Sequence, residues 1–177
     1  MLPVLLGGAC GSTDRAPTAV NLIDELPNAE RRAGSLLSEA VRTDTVGAGT
    51  DEARALVTRA PARVIWQVKI VPHAHLRTAV ALVPDVNSPS GPLGAGVTIR
   101  VGIADTRNYE ELARVSVLPR APGAPFWQSI DLDLKSYGGW QWSLFYRPWT
   151  ITWRLNFSID ALPGAGTVAW KEPVIGS

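Results

Sequence analysis

Cysteine is almost missing from this chain. Cys10 stands alone, so no internal disulfide can form and a zinc site built on several thiolates is excluded. Histidine is nearly as scarce. A Ser-His-Asp triad would have to use His73 or His75, and no G-x-S-x-G elbow accompanies them. Lysine occurs only at 69, 135 and 171, and the net charge is +1, which argues against a nucleic-acid binder held by a strong basic field. No run of the roughly 20 apolar residues needed for a membrane span is present. Neither Gly47-Ala-Gly-Thr nor Gly91-Pro-Leu-Gly-Ala-Gly matches a phosphate-binding loop or a dinucleotide fingerprint, so both read as plain loops.

What is present is the make-up of one ordinary globular domain. The 177 residues are 46% hydrophobic and 19% charged, enough apolar material for a real core and too little charge for disorder. From Arg63 onward the hydrophobic period is two. Val64, Trp66, Val68 and Ile70 share one face, with Gln67 and Lys69 on the other. Leu76, Thr78, Val80 and Leu82 repeat the pattern, as do Val97, Ile99, Val101 and Ile103. Ile130, Leu132 and Leu134 alternate with Asp131 and Asp133. Trp149, Ile151, Trp153, Leu155, Phe157 and Ile159 form the longest alternating run. The stretches 84–96 and 119–125 are rich in Pro and Gly and read as loops. Many strands, Pro/Gly punctuation and no alternating helices predict an all-β fold, an antiparallel β-sandwich. Before position 60 the reading is helical: Asn28 as cap of a short helix reaching Val41, then a polar loop over 43–50. Residues 105–112 read as a helical turn.

The chain opens Met1-Leu-Pro-Val-Leu-Leu-Gly-Gly-Ala before Cys10. An apolar run followed by small residues and cysteine resembles the end of a bacterial lipoprotein signal peptide, which implies lipidation at Cys10 and an extracytoplasmic, envelope-attached protein; ordinary secretion is the alternative. Residues 1–10 are then a signal segment, 11–18 a tether and 19–177 the sandwich.

A wider resemblance rests on four stretches: Val97-Thr-Ile-Arg-Val-Gly-Ile-Ala-Asp, Tyr109-Glu-Glu-Leu, Trp127-Gln-Ser-Ile-Asp-Leu-Asp-Leu-Lys-Ser-Tyr-Gly-Gly, and Ala169-Trp-Lys-Glu-Pro-Val-Ile. Together they resemble the galactose-binding-like jelly-roll modules, carbohydrate-binding-module-like domains that accompany bacterial surface sulfatases and other glycan-processing proteins. The resemblance covers about residues 60–177, plus the opening Asn21-Leu-Ile-Asp-Glu-Leu, and implies a jelly roll and a non-catalytic role; no cofactor is expected. It leaves room for a structural calcium, with Asp105, Asp131 and Asp160 as oxygen donors.

The tryptophans carry the binding hypothesis. A pyranose face is apolar and packs on an indole, while its hydroxyls need polar partners. Parity sends Trp66, Trp149 and Trp153 to the core, and Trp170 also reads as a packing residue. Trp127 has the opposite parity to Ile130 and Leu132, but it stands at a strand start and its direction stays open. Trp140 and Trp142, just past the Gly-Gly turn, are the candidate platform. Thr152, Arg154 and Asn156 on the polar face of the long strand, with Tyr146 and Arg147 beside it, supply donors and acceptors for hydroxyls. Asp131 and Asp133 imitate a glycosidase pair, yet their alternation with leucines makes exposed strand carboxylates the simpler account. His73 and His75 could share one metal only with a third ligand that the sequence does not offer. The reading is therefore glycan binding, with an envelope-protein interaction module as the alternative and a small glycan-active enzyme as a more distant one.

Overall fold

The structure, a computed structural model, describes residues 19–47, 49–84, 96–105, 108–121, 123–124, 126–138, 141–142, 148–149, 152–159 and 166–177; residues 141, 142, 148, 149, 152 and 159 are described by backbone alone. Thirteen strands occur among them. They are β1 (Ala19–Asn21), β2 (Glu30–Ala33), β3 (Val41–Val46), β4 (Ala53–Arg59), β5 (Ala62–Lys69), β6 (His75–Val83) and β7 (Val97–Ala104), then β8 (Tyr109–Val117), β9 (Gln128–Asp133), β10 (Gln141–Trp142), β11 (Pro148–Trp149), β12 (Thr152–Ile159) and β13 (Thr167–Gly176).

Two antiparallel sheets form the sandwich. The first runs β3-β4-β13-β6-β9, with β1 on the C-terminal part of β13; the second runs β2-β5-β12-β7-β8. Strands β10 and β11 make a separate two-stranded ribbon. Taken in chain order, the eight strands β4 to β9, β12 and β13 lie first-eighth-third-sixth in one sheet and second-seventh-fourth-fifth in the other. That alternation between sheets is a jelly roll, and it bears out the all-β sandwich expected from the two-residue period.

The inward residues are those that the alternation selects. Val64, Trp66 and Val68 of β5, Leu76 and Val80 of β6, Ile99, Val101 and Ile103 of β7, Leu155 and Phe157 of β12, and Val168 and Trp170 of β13 are all buried in one cluster. Three aromatic rings tie the sheets together. Phe157 meets Trp66 edge-on at 5.0 Å and stacks on Trp170 at 4.5 Å. Each buried indole N–H has a partner, since a bare donor in the core would be costly: Trp66 Nε1 donates to the Leu22 carbonyl at 3.0 Å, and Trp170 Nε1 donates to Thr58 Oγ1 at 2.8 Å. Trp153 sits at the core margin, edge-on to Tyr137, and its Nε1 donates to the Tyr137 carbonyl.

Several local expectations are corrected. The helix from Asn28 to Val41 is interrupted: Glu30–Ala33 pairs with β5, and only Leu37–Ala40 is α-helical. Residues 30–33 have a strand edge to join, and that outweighs a weak helical spacing broken by Gly34 and Ser35. The polar 43–50 stretch is half strand, because β3 is an edge strand whose exposed side tolerates Thr43, Asp44 and Thr45. Tyr109-Glu-Glu-Leu is not a helical turn; it opens β8, paired along its length with β7. The Gly138 half of the Gly-Gly turn has a packing cause: a Cβ there would run into the backbone carbonyl of Val71.

Candidate functional site

On the outer face of the second sheet, the polar residues of β12 are engaged with their neighbours, beside a shallow hollow of about 310 Å³ that Arg32, Arg63 and Ser158 line. Asn156 is buried, and its Nδ2 donates to the Arg154 carbonyl at 2.8 Å. Arg154 is exposed, but its guanidinium is joined to Glu30 at 2.8 Å. Glu30 also pairs with Arg32, and the Arg32 hydrogen bond, then both arginine charges, hold its carboxyl below the usual glutamate range. Tyr109 lies over Gly102 on the neighbouring strand so closely that no Cβ would fit between them. This face is a network of ion pairs around buried Asn156 and Ser158, and Asn156 is committed to that network. The Asn156-Phe-Ser sequon lies within it. Thr152 opens β12, paired to Lys69, and is described by backbone alone. Trp142 is likewise a backbone position in the β10–β11 ribbon, opposite Pro148. Trp140, Tyr146 and Arg147 lie outside the described residues, as do Cys10 and Asp160.

The carboxylates of β9 are equally engaged. Asp131 accepts a 2.7 Å hydrogen bond from His75 Nδ1 and lies 3.5 Å from Arg77; Asp133 is paired with Lys135 at 2.8 Å. Each partner favours the ionised form, so the His75 and Lys135 contacts hold Asp131 and Asp133 respectively below the ordinary aspartate range. A glycosidase acid needs the opposite, a carboxyl kept protonated. Asp105 accepts from the Asn108 backbone N–H at 2.6 Å, a local turn bond. Among the described residues no group of three His, Cys, Asp or Glu side chains could hold a metal. Burial, and then the Glu110 carboxylate, push the Tyr137 phenol up to about 12, so it stays neutral.

The open site is on the other side of the sandwich. Successive residues of a strand face opposite ways, so the first sheet turns Arg42, Val57, Ala169 and Ala81 outward in one row across β3, β4, β13 and β6. The next row is Asp44, Ala55, Lys171, Ala79 and Ser129. Alanines recur in both rows, Ala169 and Ala81 in the first and Ala55 and Ala79 in the second. Over these rows stands the segment entering β9. Trp127 shares the outward parity of Ser129, and its Nε1 donates to the Asp51 carbonyl at 2.7 Å, fixing the ring. Phe126 meets it edge-on at 5.0 Å. Both rings pack on a second apolar cluster of Ala55, Val57, Val83 and Ala169, separate from the core. The result is a cleft of about 800 Å³, walled by Phe126 and Trp127, floored by Val57, Ala81 and Val83, and edged by Arg42, Asp44 and Arg120. That volume lies within the range of about 300–1,000 Å³ typical of small-molecule sites, and the pattern of apolar walls with a few polar groups is typical too.

Cations frame the aromatic wall. The Arg120 guanidinium lies 5.4 Å from the Phe126 ring centre and the Lys171 ammonium 5.8 Å from that of Trp127. Arg42 is 3.6 Å from Asp44 and reaches back to the Glu39 carbonyl.

No family model matches the chain, and no curated protein matches it in sequence. Solved structures do. CBM51-2 in complex with GlcNAc, with INT domains, from Clostridium perfringens ZmpB superposes with a TM-score of 0.53 at 11% identity, over 90% of this chain. The structure of the M60 catalytic domain with CBM51-1 and CBM51-2 of the same protein also gives 0.53, at 12% identity and 90% coverage. A third, CBM51-2 and INT domains without the sugar, gives 0.50 at 10% identity over 84% of this chain. The fold is that of a carbohydrate-binding module. This chain spans 31%, 15% and 29% of those three chains, and at such low identity the likeness is one of fold alone.

Sequence reasoning missed this cleft for identifiable reasons. Asp44 fell in a stretch read as loop, Arg42 lay between that loop and the expected helix, Phe126 adjoins a Pro/Gly segment, and alanines on a strand announce nothing. The one available signal was the parity of Trp127, opposite to Ile130 and Leu132, which points it away from the core. Among the described residues no helix is long and apolar enough to cross a membrane.

Proposed function

We propose that this domain is a non-catalytic extracytoplasmic module that binds carbohydrate in the cleft over the first sheet. The observation that carries the reading is Trp127: an indole fixed by its own N–H, walling a cleft floored by Val57, Ala81 and Val83, with polar side chains at the cleft edge. An apolar sugar face packs on such a ring, and the apolar floor beside it suits the same face. Arg42, Asp44 and Gln128 supply donors and acceptors for hydroxyls. The fold shared with carbohydrate-binding modules supports the same reading, and so do the carboxylate pairs of β9, which lack the protonated member that hydrolysis needs. Lipidation at Cys10 would hold the module at the cell envelope.

The test is a glycan array followed by calorimetry on the best binder. Trp127→Ala should weaken binding by at least about tenfold, about 1.4 kcal/mol, with a thermal melt confirming that the variant is folded. Arg154→Ala, on the opposite face, should leave affinity unchanged. Loss of binding in Arg154→Ala with Trp127→Ala intact would move the ligand to the second sheet. A folded parent that binds no glycan but co-purifies with an envelope protein would replace the proposal with an interaction module.

A further inference from the structure

We infer that the carbohydrate accepted by this cleft is acidic, a pyranoside chain bearing carboxylate or sulfate groups. The inference rests on the carbohydrate reading and extends it to the class of sugar.

Three cations surround the cleft against one lining carboxylate. Arg42 and Arg120 line it directly, Lys171 stands at the Trp127 ring, and Asp44 is the opposing charge, already 3.6 Å from Arg42. On the second sheet's outer face most arginines are tied to carboxylates, Arg63 excepted among the described residues. There Arg154 and Arg32 are tied to Glu30, and Arg114 is tied to Glu111. In the cleft, Arg120 and Lys171 have no carboxylate within ion-pair distance among the described residues. Their heads rest against aromatic rings instead, at 5.4 and 5.8 Å. A ring face holds a cation in place without neutralising it. Both heads therefore keep their charge for a ligand, at the rings on which a sugar would stack. A neutral sugar needs no such excess. An acidic one presents its anion at the edge of the ring while its apolar face lies on the indole. Arginine suits that partner, because its planar fork matches a carboxylate or sulfate with two parallel donors. The chain as a whole is almost neutral, at +1, so the excess belongs to this surface and not to a general basic character.

The experiment uses the whole chain and matched probes: an oligogalacturonide, the same oligomer with its carboxylates reduced to alcohols, and a sulfated galactan oligosaccharide. Titration calorimetry gives each affinity at low and high salt. The inference expects an acidic probe to bind at least about tenfold more tightly than the reduced one, with the preference shrinking as salt rises. Arg120→Ala and Lys171→Ala should each weaken binding of the acidic probe by a larger factor than binding of the reduced oligomer, and so cut that preference. A stronger response to the sulfated probe than to the uronate assigns the anion as sulfate; the reverse assigns it as carboxylate. Equal binding of all three overturns the acidic preference and leaves the carbohydrate reading standing. Binding to none of them, with no hit on the wider array, overturns both.

Discussion

Thr58 bears more on the interior than its size suggests. Its hydroxyl accepts from the Trp170 indole at 2.8 Å and donates to the Val168 carbonyl at 3.3 Å, in a site with almost no exposure. Thr58→Val keeps the shape and removes the acceptor, leaving a buried N–H with nothing to bond. An unmet buried donor costs about 1–3 kcal/mol. Urea unfolding should register that loss as a lower midpoint with an unchanged slope; an unchanged midpoint would mean that the indole has found another acceptor. Trp127 works differently. Its N–H is also satisfied, by the Asp51 carbonyl, but the ring stands outside the main core and borders the cleft. One residue type thus serves as interior filling at 66 and 170 and as a wall at 127, decided by which face its strand position selects.

At the scale of the element, the edge between β6 and β9 is held by backbone pairing and by a charge cluster on its outer face. His75 faces Asp133 and Arg77 faces Asp131 in the ladder, and the side chains cross to make the 2.7 Å His75–Asp131 contact. The Asp131 carboxyl lies below its usual range because the His75 hydrogen bond, then the His75 and Arg77 charges, favour the anion. A depressed carboxyl stabilises the fold above its unfolded value, and that contribution disappears as pH falls through the folded one. The parent should therefore be more stable than Asp131→Asn at neutral pH. The gap should close as acid passes down through and below the ordinary aspartate range. Melting temperatures of both proteins across that range check the sign, and a gap that widens in acid would contradict it. Asp131 is exposed and His75 partly so, so the effect is small.

For the whole molecule, the decisive element is the last one. Strand β13 pairs with β4 on one side and β6 on the other, so the first sheet has no centre until residues 167–176 are in place. It also carries Trp170 into the core, and sets Ala169 beneath the aromatic pair and Lys171 beside the Trp127 ring. A chain ending before Thr167 should lose cooperative unfolding altogether, observed as the loss of a sharp calorimetric transition, while retaining β4 to β9. A sharp transition in that truncated chain would mean that the two halves of the sheet can close without it. Pairing between strands more than a hundred residues apart, such as Leu56 with Trp170, also places folding in the slow range of about milliseconds to seconds typical of sandwiches.

The alternation after position 60 was enough to determine the sandwich and most of its interior. A period of two leaves a strand one way to bury its apolar side, as Val64-x-Trp66-x-Val68 and Leu155-x-Phe157 do. Periodicity could not reach β2 and β3. Glu30–Ala33 and Val41–Val46 become strands because edges of β5 and β4 are there to receive them. On the polar face of β12, Asn156 and Arg154 looked free in the linear pattern and are engaged in the fold, Asn156 with the Arg154 carbonyl and Arg154 with Glu30, which arrives from a strand distant in sequence. The cleft was decided by tertiary structure for the same reason. Arg42, Val57, Ala81 and Trp127 converge on it from four separate strands or strand entries, and residues that far apart along the chain become neighbours only when β13 brings the sheet together.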